Sequence, residues 1–275
     1  MGKADLHITS LQNQQVKNLV KLRGRRERDR QRLQLIEESL VIDRAWQAGC
    51  PLQTVYYCPE NLDSEAKSLL DRLRSSREAP SGFVHLHPRV MAKVAYRTEP
   101  TGLLVVAQQQ RRQLVELTWQ GPALLVILDR VEKPGNLGAV LRSADGAGAS
   151  GVILNAPGPD PFNPNVLRTS RGTCFSVPLA AAPREEILTF LQDQQIRCVA
   201  TSPEADTVYT DADWTGPVAF VLGAEDRGLH PEWHRAADQQ VRIPMRGRAD
   251  SLNVATTAAL LMYEACRQRH AVMQE

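Results

Sequence analysis

The stretch Asn136-Leu137-Gly138-Ala139-Val140-Leu141-Arg142 follows an apolar run at 123–128 and a short polar loop that contains Pro134-Gly135. The apolar run predicts a buried strand, and the apolar spacing after the loop predicts a helix over 137–147. Pro134-Gly135 predicts a turn between them, with Asn136 as the residue that caps the helix. Strand, loop and helix in this order are the repeating unit of an α/β fold.

The same alternation continues on both sides of this stretch. Apolar runs predict further strands at 32–36, 52–57, 83–86, 103–107, 152–154, 197–200, 218–222 and 240–243. Helical patterns lie between them, and the last helix spans 252–270. The polar segment 109–121, which Gly121-Pro122 ends, separates the two series. We therefore predict a small N-terminal α/β domain (1–108), a linker (109–121) and a C-terminal α/β domain with a largely parallel sheet (122–275).

Composition places the chain among globular proteins. Of its 275 residues, 43% are hydrophobic and 23% are charged, which is enough apolar surface for a packed core. No apolar run approaches the ~20 residues of a membrane helix, and the N-terminus lacks an apolar signal region. The five cysteines are scattered and odd in number, so they indicate neither a disulfide framework nor a zinc site. We expect a cytoplasmic protein without a metal or a membrane partner.

Positive charge is concentrated near the N-terminus, although the whole chain carries a formal charge of only +2. Residues 17–32 contain eight Lys and Arg against two acidic residues. One interpretation is a solvated helix face with charge pairs four residues apart. The other is contact with phosphate, because arginine outnumbers lysine here and the guanidinium fork fits phosphate oxygens. The sequence leaves both interpretations open.

Two more loops follow predicted strands in the C-terminal half. Residues 223–229 carry glycines at both ends and Glu225 near the centre, and a carboxylate there suits a cationic or hydroxyl-bearing ligand better than a phosphate. Residues 244–250 carry Arg246 and Arg248, and Ser251 is predicted to cap the final helix. Open α/β sheets bind ligands at such strand ends.

A dinucleotide-binding pattern, Gly146-x-Gly148-x-x-Gly151, occurs between the predicted helix 137–147 and the next strand. That fingerprint works only after a strand and before a helix, where helix N–H groups face the pyrophosphate. The order here is reversed. We therefore predict that these glycines end a helix and turn into a strand.

The combined motifs N-x-G-x-x-x-R, G-x-E-x-x-G-L and I-P-M-x-G-x-x-x-S-L-N-V resemble those of the SpoU (TrmH) family of SPOUT RNA 2'-O-ribose methyltransferases, over residues 123–270. The N-terminus, with Ile8-Thr9-Ser10, Asn13, Val16 and Lys17, is similar to the RNA substrate-binding domain of rRNA-modifying members. The resemblance implies a C-terminal SPOUT domain with a deep trefoil knot, an exception to unknotted topology. It also implies a homodimer with the site across its interface, and methyl transfer from S-adenosylmethionine to a ribose 2'-hydroxyl, most often in 23S rRNA.

The family's functional positions match residues of this chain. The resemblance implies cofactor binding by Thr201, Leu222, Gly223, Ala224, Ile243, Met245, Leu252 and Asn253. It implies an active site of Asn136, Arg142, Glu225, Ser251 and Asn253. The RNA contacts that we predict are Lys17, Arg25, Arg26, Arg28, Arg30, Arg168 and Arg171.

The role of Arg142 is open to two interpretations. The family assigns proton removal to this position, but a guanidinium has a pKa above ~12 and stays protonated in proteins. Our hypothesis is that Arg142 holds the neighbouring RNA phosphate and that the proton leaves through Ser251, Asn253 or water. Two other functions remain as alternatives: a tRNA ribose methyltransferase, and a non-catalytic RNA-binding protein with the same fold.

Histidine and aromatic residues add little at this level. His85 and His87 share a strand face, and His230 and His234 share a helix spacing, but neither pair has a third ligand nearby in sequence. The four tryptophans are dispersed, and only 5% of residues are aromatic. We therefore expect RNA recognition to depend on arginines and shape rather than on a stacking platform.

Overall fold

The computed structural model describes residues 5–155, 158–225 and 227–272, and the chain divides into two compact units. Unit 1 comprises Met1–Gln110 and Asp160–Phe175, and unit 2 comprises Arg111–Pro159 and Ser176–Glu275. Asp226, in the acidic loop noted above, lies outside the described residues.

The first part of unit 1 alternates short strands and helices. The strands are β1 (Leu6–Ile8), β2 (Leu33–Glu37), β3 (Leu52–Tyr57), β4 (Gly82–Leu86) and β5 (Leu103–Gln108). The helices are α1 (Gln14–Leu22), α2 (Arg25–Gln31), α3 (Ser39–Gln47), α4 (Ser64–Ser75) and α5 (Pro88–Val94), with a 3-10 turn at Pro59–Asn61. The sheet has the order β1-β4-β3-β5-β2; β5 is antiparallel to both of its neighbours, and the other pairs are parallel.

Helices cover both faces of this sheet. Side chains from α1 and α5, such as Leu19 and Met91, form one buried cluster with residues of one face. Side chains from α3 and α4, such as Ile42 and Leu69, form the other. Alternate residues of each strand therefore point into two different cores, as the two-residue period of a strand requires.

Unit 2 is built on a second sheet. Its strands are β6 (Leu124–Leu128), β7 (Gly151–Asn155), β8 (Leu179–Ala182), β9 (Arg197–Thr201), β10 (Thr207–Val208), β11 (Val218–Leu222) and β12 (Gln239–Arg242). The helices from residue 111 onward are α6 (Pro134–Gly146), α7 (Pro164–Thr169), α8 (Arg184–Asp193), α9 (Pro231–Ala236) and α10 (Val254–Val272), of which α7 belongs to unit 1. Further 3-10 turns are Leu114–Glu116, Thr173–Phe175 and Tyr209–Asp211.

The sheet of unit 2 is parallel throughout, in the order β10-β12-β9-β11-β6-β7-β8, which confirms the predicted parallel sheet. Its central strands β6 and β11 read Leu-Leu-Val-Ile-Leu and Val-Ala-Phe-Val-Leu, and every residue in both is buried. Uninterrupted apolar strands of this kind are typical of a parallel sheet that is covered on both faces.

The division into units differs from the predicted domains at two places. The sequence predicts Asp160–Phe175 as part of the C-terminal domain, but this segment belongs to unit 1, where Leu167 is buried among side chains of α3 and α4. The predicted linker is also more than a connection, because Leu114 and Leu117 lie in the core of unit 2. An apolar residue inside a polar segment gives no sign of which core it will join.

The reversed glycine pattern behaves as predicted. Helix α6 ends at Gly146, Gly148 adopts a φ of +62°, and β7 begins at Gly151. In the part of the chain that the structure describes, no helix is both long and apolar enough to cross a bilayer.

Candidate active site

A cavity of about 290 Å³ lies in unit 2 at the carboxyl ends of three neighbouring strands, β12, β9 and β11. The loops after these strands and the start of α10 form its wall. The lining includes all of the predicted cofactor residues except Asn253: Thr201, Leu222, Gly223, Ala224, Ile243, Met245 and Leu252. Ser251 and Glu225 also line it. The volume is close to the ~300 Å³ lower end of ordinary small-molecule pockets.

Gly223 determines how tightly the loop after β11 can fold. A Cβ at this position would overlap backbone atoms of Gly228 and Leu229. The loop closes on itself through the Gly228 N–H, which donates to the carbonyl of Ala224 at 2.8 Å, and Gly228 has a φ of +60°. Both glycines are therefore required by the shape of the cavity wall.

Four polar side chains join at the rim of the cavity. The Lys133 ammonium donates to the Glu225 carboxylate at 2.5 Å, and the Asn136 Nδ2 donates to the same carboxylate at 3.3 Å. Asn253 donates to both Glu225 and the Asn136 Oδ1, the latter at 3.1 Å. The hydrogen bond from Lys133 is the main reason that the pKa of Glu225 is lowered, so this carboxylate is ionised at neutral pH. Three segments that are distant in sequence, the start of α6, the loop after β11 and the start of α10, thus meet around one negative charge.

Sequence reasoning assigned the two helix caps at this rim to the wrong residues. Helix α6 begins at Pro134 with Lys133 as its N-cap, so Asn136 lies within the first turn and its side chain is free to bind Glu225. Proline is favoured at the first helical position, which moves the helix start upstream of Asn136. At α10, Asn253 and not Ser251 accepts from a first-turn N–H, that of Ala255, at 2.9 Å.

Asp129 is a site residue that the sequence analysis missed. It follows β6, is completely buried, and accepts from the His230 N–H at 2.9 Å and the Asn155 Nδ2 at 2.6 Å. Arg130 donates to this carboxylate and to the Gly228 carbonyl. Asp129 therefore fixes the end of the loop that forms the cavity wall. The sequence signal was available, since an acidic residue directly after an apolar strand needs buried partners.

Arg142 lies apart from the cavity of its own chain. It is exposed on α6, six residues beyond Asn136, which corresponds to about 9 Å along the helix axis. It does not line the cavity, and it makes no hydrogen bond or ion pair with any residue that the structure describes. Its guanidinium is therefore available to a ligand or to another molecule.

The predicted RNA contacts all lie in unit 1, and one of them is wrong. Arg28 is 1% exposed, and its guanidinium donates to the carbonyls of Leu22 and Arg23 and pairs with Asp160. It is a structural residue of the core. The other six remain predictions and have exposed side chains: Lys17, Arg25, Arg26, Arg30, Arg168 and Arg171.

A parallel α/β unit with a small-molecule cavity at its strand ends and a charged polar rim defines an enzyme-like ligand-binding class. The chain belongs to the SpoU rRNA methylase family, whose model matches residues 123–263. A second model, of MRM3-like substrate-binding domains, matches residues 13–105. The resemblance inferred from the motifs is confirmed.

Three similar proteins illustrate the match. The 23S rRNA (uridine(2479)-2'-O)-methyltransferase of Streptomyces viridochromogenes is 31% identical over 84% of this chain and 80% of its own length. The 23S rRNA (guanosine-2'-O-)-methyltransferase RlmB of Bordetella pertussis is 38% identical over 83% of this chain and 94% of its own. The crystal structure of the SpoU methyltransferase AviRb from Streptomyces viridochromogenes with AdoMet is 30% identical, with a TM-score of 0.86 over 94% of this chain and 99% of that one.

Proposed function

We propose that the protein transfers a methyl group from S-adenosylmethionine to a ribose 2'-hydroxyl of 23S rRNA. The observation that carries this proposal is the cavity at the ends of β9, β11 and β12 with the Asn136, Glu225 and Asn253 cluster at its rim. The names of the relatives and the AdoMet complex of AviRb support the substrate and the cofactor.

The residues present fit this cofactor. Leu222, Ile243 and Leu252 offer apolar surface to a flat heterocycle, and the backbone on either side of Gly223 leaves N–H and C=O groups for its polar edges. Thr201 lies near the adenosine in the proposed arrangement. The ionised Glu225 complements a cationic sulfonium, although Lys133 shares its charge. The bound cofactor supplies a methyl carbon that is already activated by the neighbouring positive charge.

The protein itself must align the two reactants and help to remove the proton of the 2'-hydroxyl. The 2'-oxygen must approach the methyl carbon in line, and holding reactants in such a geometry accounts for much of the acceleration of a transfer reaction. We assign the orientation of the ribose to Arg142, which grips an adjacent phosphate through its guanidinium fork. The proton leaves through Ser251, Asn253 or water, because a guanidinium does not act as a base near neutral pH.

Arg142 is assigned to the cavity of a second copy of the chain, so the working enzyme is a homodimer. Its separation from the cavity of its own chain supports this assignment, as do Leu260 and Tyr263, which are exposed apolar residues on α10 at 36% and 53%. Helix α10 packs on α6, which carries Arg142. We also propose that the chain after β12 threads through a loop as a trefoil knot, and that the enzyme acts in the cytoplasm.

The test is methyl transfer to deproteinised 23S rRNA and, separately, to tRNA, with tritiated cofactor. We expect label in 23S rRNA at one ribose, which then resists alkaline cleavage. Arg142→Ala should lose the label, and Arg235→Ala, which alters an exposed arginine of α9, should retain it. Label in tRNA alone would mean that the substrate is tRNA and not 23S rRNA. Equal absence of label in wild type and Arg142→Ala, with RNA binding retained, would favour the non-catalytic alternative.

A further inference from the structure

Unit 1 contains a row of stacked rings that its sheet brings together from three strands. His7 on β1, His85 on β4 and Tyr57 on β3 stand at the same register position. The His7 and His85 rings are stacked, with centroids 4.1 Å apart and planes 11° apart. The Tyr57 and His85 rings are 5.5 Å and 17° apart. The sequence analysis did not foresee this platform because the three residues are distant along the chain.

One end of the row is closed by α4. The guanidinium of Arg74 lies over the Tyr57 ring at 4.9 Å and over the Phe83 ring at 5.3 Å. The Tyr57 hydroxyl donates to Asp5 at 2.8 Å, and Arg74 forms an ion pair with the same carboxylate. This end is therefore fixed by stacking and by charge, and the carboxylate of Asp5 is neutralised by its partners.

The other end of the row is at the edge of the sheet. β1 is the outermost strand, and His7 is exposed, whereas its neighbour Ile8 is buried in the core on the opposite face. His85, which is only half-buried, supports His7 from behind with its ring plane. The outer face of His7 is thus a flat π-surface that is held by a stack and presented to solvent.

We propose that this face of His7 stacks an unpaired base of the RNA substrate and extends the row by one ring. Every nucleobase has a π-face, but in a duplex both faces are covered by neighbouring pairs, so the site selects a base in a loop, bulge or strand end. The inference rests on the proposed function only in taking RNA as the ligand, and it assigns no step of the reaction.

The test is filter binding of the full-length protein to a 23S rRNA transcript over a series of KCl concentrations. Base stacking on a ring contributes about 5- to 150-fold in affinity. We expect a loss in that range for His7→Ala and for His7→Gln, which keeps a polar side chain without a ring, and retained affinity for His7→Phe. Because no phosphate contact is removed, the slope of log Kd against log salt should not change.

The matched control is Leu6→Ala, which removes an exposed side chain from the adjacent position of the same strand. It should bind like wild type, and thermal melting should show every variant folded. In methyl transfer, His7→Ala and His7→Gln should raise KM and leave kcat unaltered, and His7→Phe should leave both unaltered. Unchanged affinity for His7→Ala and His7→Gln, or equal weakness of His7→Phe, would overturn the inference. If the wild-type protein neither binds nor methylates 23S rRNA, that result would instead overturn the proposed function.

Discussion

Gly223 and Asp129 hold the loop after β11 in opposite ways, one through the lack of a side chain and the other through a buried carboxylate. Gly223→Ala places a methyl group against the backbone of Gly228, and relieving such an overlap costs about 1–3 kcal/mol. We expect cofactor binding, measured by calorimetry, to weaken about 5- to 150-fold. Gly216→Ala, before the same strand, meets no atom within 4 Å and should bind normally. If Gly223→Ala binds the cofactor as tightly as wild type does, the loop accommodates the added methyl group.

Arg142→Lys distinguishes the two roles proposed for this residue. Lysine is a better base than arginine, but it lacks the planar fork that holds a phosphate in two places. We expect Arg142→Lys to lose about 100-fold in kcat/KM, as a misplaced substrate does, and to bind cofactor unchanged. Near wild-type turnover in the lysine variant, with a pH profile that follows an amine, would assign proton removal to this position.

Glu225 gives the rim an acid limit. Its pKa is lowered, chiefly by the hydrogen bond from Lys133. The ionised carboxylate therefore stabilises the arrangement of side chains at the rim. That contribution is complete above the ordinary value of 4.5 and is lost as pH falls through the lowered pKa. Cofactor affinity should therefore stay constant from neutral pH down to 4.5 and decline only below it. Glu225→Gln should show no such decline, which titration calorimetry at several pH values would measure.

At single positions, motifs and spacing predicted the residues of the candidate site better than they predicted which charged residues are buried. The motifs brought Asn136, Glu225 and Asn253 into one candidate site, and the structure places them in hydrogen-bonding contact. Arg28 could not be told from its exposed neighbours, because its burial depends on Asp160, which lies 132 residues away in the sequence. Burial of a charge is a property of the tertiary fold, and charge density alone does not report it.

At the scale of elements, the segment Asp160–Phe175 stands out because it completes unit 1. The Arg28–Asp160 pair joins α2 to this segment, and both side chains are under 10% exposed. Removing one partner of a buried pair leaves an unpaired charge and costs about 3–5 kcal/mol. We expect that loss in urea unfolding for Arg28→Ala and for Asp160→Asn.

Arg30→Ala is the control, because Arg30 pairs with Glu27 on the exposed side of the same helix. Its effect should stay within about 0.5 kcal/mol, as for most surface changes. If Arg28→Ala and Arg30→Ala unfold at the same urea concentration, the buried pair does not hold the segment.

Elements with a strong apolar period were predictable, and those without one were not. β6 and β11 coincide with continuous apolar runs in the sequence. The sequence of α2 indicates only a charged segment, because six of its seven residues are charged. β8, which reads Leu-Ala-Ala-Ala, has low strand propensity and forms because it pairs with β7.

At the scale of the whole molecule, the proposed dimer combines the cavity of one protomer with Arg142 of its partner. As a pure dimer, Arg142→Ala should be inactive, and Gly223→Ala should be nearly inactive at a cofactor concentration well below its weakened Kd. Subunit exchange between them creates heterodimers with one intact site, so about a quarter of wild-type activity should return. No recovery, with exchange verified by mass, would place Arg142 in the site of its own chain.

The dimer itself can be tested at α10. Tyr263→Glu puts a charge on the exposed apolar face of this helix. Because charged residues are depleted in the centre of such interfaces, analytical sedimentation should show a monomer in place of the dimer. Cofactor binding would then report whether the monomer keeps its cavity. A dimer that persists would move the interface elsewhere on unit 2.

Because unit 1 includes Asp160–Phe175, its chain is interrupted by 49 residues of the other unit. On the ribosome, α3 and α4 emerge long before the segment that buries Leu167 among them. At about 5–20 residues per second, synthesis from Gln110 to Phe175 takes roughly 3–13 s. During that interval the apolar surface of α3 and α4 that Leu167 later covers is exposed on the nascent first unit. We therefore expect chaperones to bind this intermediate, and we expect the speed of translation over these codons to affect the yield of folded protein.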